Sequence, residues 1–231
     1  MRRCLLLRLG RVPYGPVLRL QRSLHGERRA QNIPNVLLSL EHTPVITLGR
    51  AASPTDLLLP AKELRQNGVE VYEIERGGGA TYHGPGQLVL YPVVDLRELG
   101  ISLREYVRRL EEVMILAGRA FGVELFRQPG HPGAWHTLGK VGFIGVHVRG
   151  WITMHGLAFN VDLEPDGFRW IVPCGRPDLP VVSLRQILGK EISLAAVESY
   201  ALRAFAEVFC VELVELSGEE VRAWLSRNGS G

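Results

Sequence analysis

Short apolar runs alternate along the chain with segments of helical period. Residues 5–9, Leu-Leu-Leu-Arg-Leu, read as a strand. After Gly10-Arg-Val-Pro-Tyr14 the period becomes helical over residues 14–31, with Val17, Leu20 and Leu24 on one face. Residues 36–40 and 45–48 read as strands joined by Glu41-His42-Thr43-Pro44, where the proline favours a turn. A short helix over 61–66 stops at Asn67-Gly68, and residues 69–74 form another strand. Residues 76–86 are expected to be loop, and 87–95 a strand. Ser102-Leu-Arg-Glu105 has capping-box spacing and predicts a helix to about residue 121, stopped by Gly122. Residues 130–162 read as several strands separated by glycines. The last third offers a Pro173-Cys174-Gly175 turn, a helix over 193–209, a strand over 211–215 and a short helix opened by Ser217 and Glu220. Its last few residues are expected to be frayed. The mixture predicts an α/β (α+β) fold, a single domain over residues 1–231 with one mixed sheet rather than a regular doubly wound one.

Composition supports a folded chain. Of 231 residues, 46% are hydrophobic and 22% charged, which excludes a disordered or low-complexity protein. The net charge of +3 comes without a run of five or more basic residues, so no nucleic-acid arm is indicated. A weakly positive surface favours acidic protein partners at long range. Of the basic residues only Lys62, Lys140 and Lys190 are lysines, and the cysteines are only Cys4, Cys174 and Cys210. A reactive amine or thiol must come from these six. The cysteines are widely spaced and form no CxxC pair, which points to a reducing compartment. The N-terminal Met-Arg-Arg-Cys-Leu-Leu-Leu is interrupted by Arg8 and leads to no small-residue cleavage site, so no secretory or transit peptide is expected. No stretch approaches the ~20 apolar residues of a membrane span. A cytoplasmic protein without membrane contact is the expectation.

Several familiar motifs fail. Between Gly133 and Gly139 lie five residues instead of the four of a phosphate loop, and Val141 stands after Lys140 where a Ser or Thr would hold magnesium. Gly77-Gly78-Gly79 is not a dinucleotide fingerprint, since Thr81 and Tyr82 fill the place of its third glycine. No serine lies in GxSxG, and none of the seven histidines forms an HExxH pair, so neither a hydrolase elbow nor a metal site is expected.

Three segments keep chemical interest. Residues 76–87 hold five glycines and a proline between apolar strands; glycines admit positive φ and close backbone approach to a ligand, with Arg76, Thr81 and His83 as polar edges. The plainer reading is a tight connection. Lys140 heads a strand whose same face carries Gly142, Ile144, Val146 and Val148. Desolvation there would depress its pKa and make the neutral amine a base; a strand-end lysine reaching water is the alternative. Cys174 lies between Pro173 and Gly175, which bend the chain and could expose the thiol, whereas Cys4 and Cys210 read as small buried hydrophobes. A thiol needs an activating partner, so catalytic and structural roles stay open for Cys174. Residues 151–161 read as a strand pair bent at Gly156, with His155 a polar contact or a satisfied core histidine.

Taken together these segments resemble the lipoyl(octanoyl) transferases, the octanoyl-acyl-carrier-protein:protein octanoyltransferases. The matching elements are Gly10-Arg-Val-Pro-Tyr14, residues 41–50, residues 76–87 with His-Gly-Pro-Gly-Gln, Gly133-Ala-Trp135, residues 140–148, residues 155–161 and Pro173-Cys174-Gly175. The resemblance implies the biotin/lipoate protein ligase-like fold. It implies a reaction without ATP or metal, in which octanoyl moves from the phosphopantetheine of acyl carrier protein to a lysine of lipoyl domains. Those domains would belong to 2-oxoacid dehydrogenase complexes and the glycine cleavage H protein. Carried over residue by residue, Cys174 matches the acyl-thioester nucleophile and Lys140 the lysine that lowers that thiol's pKa. Arg76, Gly77, Gly78, Gly79, Ala80, Thr81, Tyr82 and His83 match the first acyl-binding segment. Phe143, Ile144 and Gly145 match the second, and Gly156, Leu157 and Ala158 the third. Phe143, where smaller residues are common, and Phe159, in place of a usual leucine, bear on acyl-chain preference. The glycine segment and strand faces should wall a tunnel, and N–H groups near 156–158 or Gly175 should stabilise an oxyanion. Arg76 and surface arginines should meet acidic carrier proteins. An ATP-using lipoate ligase and a non-catalytic scaffold are the competing readings; the Pro-Cys-Gly turn favours transfer over ligation.

Overall fold

The computed structural model describes residues 2–217, 219 and 220. In chain order these form β1 (Arg2–Val12), α1 (Tyr14–Arg29), β2 (Asn35–His42), β3 (Val45–Leu48), α2 (Ala61–Gln66), β4 (Glu70–Glu73), β5 (Ala80–His83) and β6 (Gln87–Val93). There follow α3 (Leu96–Leu99), α4 (Leu103–Arg119), β7 (Phe126–Gln128), β8 (His131–His136), β9 (Gly139–Arg149), β10 (Ile152–Asn160), α5 (Leu184–Leu188), α6 (Leu194–Phe209) and β11 (Val211–Glu215).

The expected mixed sheet is present. Its order is β11-β1-β2-β6-β10-β9-β8-β7, with β11, β1 and β2 parallel and the other pairs antiparallel. A second sheet, β4-β3-β5, lies apart from it. The central strands β2, β6 and β10 are buried on both faces, which is why they read as continuous apolar runs. Alternation divides their side chains between two cores. Leu37, Leu90 and Phe159 pack with Tyr106 and Leu110 of α4 and Phe205 and Phe209 of α6. Leu38, Tyr91 and Ala158 face the other way, toward Leu20 and Leu24 of α1, Ile46 of β3 and Ala80 of β5. The site lies in this second layer, between the two sheets.

Three local expectations need correction. Within residues 76–86, Ala80–His83 is strand rather than loop, paired antiparallel so that Thr81 faces Thr47 and His83 faces Val45. The β-branched and aromatic side chains of Thr81 and Tyr82 suit an extended strand, and β3 supplies the ladder that local reading could not see. Ser102 forms only half a capping box: its Oγ accepts the Glu105 N–H, while the Glu105 carboxylate turns to Arg109 Nε at 3.1 Å. Cys210 is exposed, because the chain leaves α6 through a left-handed residue there, with φ +53°. Ser217 and Glu220 make reciprocal cap contacts, but the helix beyond them and the expected fraying lie outside the described residues. No helix among the described residues is long and apolar enough to cross a membrane.

Candidate active site

Cys174 is exposed on a turn where both it and Gly175 are left-handed, at φ +55° and +68°. For a residue with a Cβ this conformation costs on the order of 1–2 kcal/mol, and the surroundings must enforce it. They do so through β5: the Cys174 N–H donates to the Ala80 carbonyl at 3.2 Å, and Pro173 bridges Ala80 in parallel.

Lys140 is the second residue of β9. Its N–H donates to Pro180 O at 2.8 Å and its carbonyl accepts from Val182 N–H at 3.0 Å, so the chain beyond the Cys174 turn is tied to β9. The stem runs over Gly133, where φ is +135° and an added Cβ would meet Lys140 Cε at 2.8 Å and Gly142 O at 2.2 Å. Only glycine leaves this path open. Lys140 is 4% exposed, so the alternative of an amine reaching water is removed. Its Nζ lies 3.9 Å from Cys174 Sγ, 4.8 Å from the Phe143 ring centre and 5.1 Å from that of Trp135. Burial lowers the lysine pKa, with Cys174 opposing that shift.

Arg76 is also buried, at 6% exposure, and does not present its charge to a protein surface. Its Nη2 donates to Thr47 O at 2.6 Å and Oγ1 at 2.8 Å, its Nε to Thr47 Oγ1 at 3.2 Å, and its Nη1 to Gly77 O at 3.0 Å. These bonds fasten the start of the glycine segment to β3. From the other side Gly77 N–H donates to Val146 O at 2.9 Å, and Gly145 must lack a Cβ because Arg76 Cδ would lie 2.8 Å from it.

Between the sheets these elements enclose a slot. Gly78, Gly79, Ala80, Thr81 and His83 form one wall. Phe143, Ile144 and Gly145 form the other with Gly156, Leu157 and Ala158, which are their direct partners across β9 and β10. Its volume of about 50 Å³ makes it narrow: at roughly 10–15 Å³ per water centre it accommodates a short row of small atoms. Cys174 and Lys140 stand at its open end, where it joins a wider groove of about 440 Å³ lined by Ala51, Gly77, Val107 and His131. Tyr82 faces away from the slot, edge-on to Phe168 and Trp170, as alternation along β5 requires.

The inner end holds Tyr14 and Tyr91, to which sequence reading assigned no role, and His155, read as a polar contact or a core histidine. Tyr14 of α1, Tyr91 of β6 and His155 of β10 line it beside His83. His42 donates through Nδ1 to Val12 O at 3.1 Å, which leaves Nε2 to accept from Tyr91 Oη at 3.0 Å. Burial pushes His42 down to about 4 and His83 to about 3, so both are neutral at pH 7. Tyr91 lies in an apolar run, where an aromatic with a polar tip reads as core, while Tyr14 opens a helix and His42 falls in an expected turn; only their meeting in space reveals them.

Three of the four expected oxyanion donors are otherwise engaged. Leu157 and Ala158 lie between ladders on both sides, and Gly175 N–H donates to Val172 O at 3.2 Å. By contrast, the N–H groups of Gly78 and Gly79 donate to no group among the described residues. A Cβ on Gly79 would lie 3.6 Å from Cys174 Cα.

A family profile described as the lipoyl protein ligase A/B catalytic domain matches residues 13–206. The octanoyltransferase of Caldicellulosiruptor saccharolyticus is 41% identical over 212 residues, covering 91% of this chain and 90% of that protein. That of Koribacter versatilis is 43% identical over 208 residues, covering 88% and 83%. Among solved structures, a lipoate-protein ligase A bound with ATP superposes with a TM-score of 0.70 at 16% identity, covering 99% of this chain and 94% of the other, which establishes a shared fold. On this likeness the chain belongs to the lipoyl protein ligase A/B catalytic family and, within it, to the octanoyltransferases, a group of acyltransferases.

Proposed function

We propose that the protein transfers an octanoyl group through a thioester on Cys174, with Lys140 as its proton carrier. The observation that carries this reading is the buried Lys140 amine 3.9 Å from an exposed thiol at the mouth of a narrow slot. A depressed pKa enlarges the neutral fraction of the amine, and the neutral form accepts the Cys174 proton. The thiolate attacks the carbonyl of an octanoyl thioester carried on the phosphopantetheine of acyl carrier protein. The carbon–sulfur bond to pantetheine breaks, and Lys140 returns its proton to the departing sulfur. In the second half a lipoyl-domain lysine attacks the acyl-enzyme, an amide forms, and Cys174 leaves as thiolate while Lys140 takes the proton of the attacking amine. That proton then restores the thiol.

One exchange of thioester for thioester is close to balanced, and amide formation then drives the transfer. Neither ATP nor a metal enters these steps. The unengaged N–H groups of Gly78 and Gly79 are the proposed oxyanion donors. The slot takes the octanoyl tail and the wider groove the pantetheine arm or the acceptor lysine stem. Membership among the octanoyltransferases supports octanoyl transfer in protein lipoylation and lipoyl-domain proteins as acceptors. The proposed acceptors are those of 2-oxoacid dehydrogenase complexes and the glycine cleavage H protein, and a reducing compartment such as the cytoplasm keeps the thiol free. An ATP-dependent ligation needs no thiol beside a lysine, so the Cys174–Lys140 pair favours transfer.

Rapid mixing with octanoyl-acyl carrier protein, without acceptor, tests this reading. One equivalent of carrier thiol should be released per enzyme without ATP; release or product formation only with ATP would overturn it.

A further inference from the structure

The inner end of the slot is polar, for which an apolar octanoyl tail gives no reason. Tyr14 Oη and His155 Nε2 belong to side chains that line it, and Thr81 Oγ1 to one on the adjoining wall of the same slot. The residues are 1%, 7% and 1% exposed, and none of these three atoms has a hydrogen-bond partner among the described residues. Buried polar groups are normally paired, and leaving them unpaired is costly. The neighbouring polar tips do not relieve them. Tyr91 Oη is bonded to His42 Nε2 at 3.0 Å, and His83 Nδ1 to Gln87 Oε1 at 2.7 Å.

The three groups are also held in place. The Tyr14 ring packs 5.0 Å from His42 and 6.4 Å from His83. His155 adopts a left-handed conformation within β10, φ +61°, while its N–H donates to Gln21 Oε1 at 2.8 Å. A side chain forced into that conformation inside a strand is strained, and strain of this kind gathers at ligand sites. Two hydroxyls and one ring nitrogen, from α1, β5 and β10, thus line one slot with both donor and acceptor capacity.

We propose that this end of the slot is a polar subsite that reads the far end of the acyl chain. Tyr14, Thr81 and His155 hold one small hydroxylic group: a hydroxyl carried at the chain terminus, or a water beyond the methyl of a plain chain. A longer plain chain displaces that group and leaves the three partners unpaired, so the subsite caps chain length and tolerates a terminal hydroxyl. The proposal rests on the reading that octanoyl occupies the slot from Cys174.

The test is self-acylation by octanoyl-, 8-hydroxyoctanoyl- and decanoyl-pantetheine, with rate constants followed by intact mass in the wild type, Tyr14→Phe, Thr81→Val and the double variant. Each substitution removes a hydroxyl with little change of shape, and ratios between donors within one protein cancel losses of folded enzyme. The wild type should discriminate against decanoyl, and the double variant should shift the decanoyl-to-octanoyl ratio upward by about tenfold. If the hydroxyl comes from the chain, 8-hydroxyoctanoyl outpaces octanoyl in the wild type and loses that advantage in the double variant. If it comes from water, octanoyl is the faster donor and only the chain-length limit relaxes. Ratios unchanged in the single and double variants would overturn the proposal. Absence of acylation by every donor in the wild type would instead overturn the thioester reading on which it rests.

Discussion

The Lys140 amine sits where its charge is poorly solvated, yet it faces the one sulfur that can use its lone pair. Burial lowers its pKa, and pairing with Cys174 partly restores it. The sign is direct: raising pH through that depressed pKa increases the neutral amine and therefore the rate of Cys174 acylation. Lys140→Ala should slow single-turnover acylation at pH 7 by about 10²-fold or more, within the range for loss of a positioned base. Part of the loss should return at high pH, where hydroxide can take the thiol proton. A variant as fast as wild type at pH 7 would remove Lys140 from the proposed mechanism. At this scale much was legible in the sequence. Six residues held all the amines and thiols, and Pro173 and Gly175 singled out Cys174. The 34 positions between Lys140 and Cys174 gave no sign of contact. Arg76 was less legible: beside three glycines it reads as surface, and its partner Thr47 lies 29 positions earlier.

Among the elements, the small sheet does the positioning. β5 carries Thr81 and His83 to the slot while its first residue, Ala80, anchors the Cys174 turn, so one four-residue strand links the binding wall to the nucleophile. β3 holds the same segment through Arg76. Thr47→Val keeps the shape but removes the hydroxyl that accepts from both Nε and Nη2 of a buried guanidinium. Hydrogen bonds to charged groups contribute about 1.5–3 kcal/mol, so urea unfolding should show a loss in that range. An unchanged midpoint and slope would mean that the Arg76 contact does not brace the segment. Reading β5 as loop followed from its flanking glycines, because strand formation there depends on β3, whose register partners lie 32 to 38 positions earlier. The longer strands and α4 were visible because their own apolar period matches their burial.

For the whole molecule, the second core layer buries neutral histidines around the inner end of the slot. His42 and His83 have folded-state pKa values of about 4 and 3, depressed by burial, against an ordinary value near 6.5. The unfolded chain therefore binds protons on both below about pH 6.5 while the folded chain does not. Stability should be intact above that pH and fall through the window from 6.5 to 4, these two protons contributing a slope of about 2.7 kcal/mol per pH unit, to which buried His155, also lowered to about 3, adds in the same direction. Urea denaturation at pH 7, 6 and 5 measures this, and a His42→Gln, His83→Gln double variant should reduce the slope, leaving the share of His155. A wild-type curve flat between pH 7 and 5 would contradict the assignment of both as buried and neutral.

The proposed transfer passes through one covalent bond, which intact mass spectrometry can locate. After mixing with octanoyl-acyl carrier protein, the protein should gain one octanoyl group, mapped to Cys174, removed by hydroxylamine and passed to an added lipoyl domain. An adduct that forms equally in Cys174→Ala and resists hydroxylamine would contradict it.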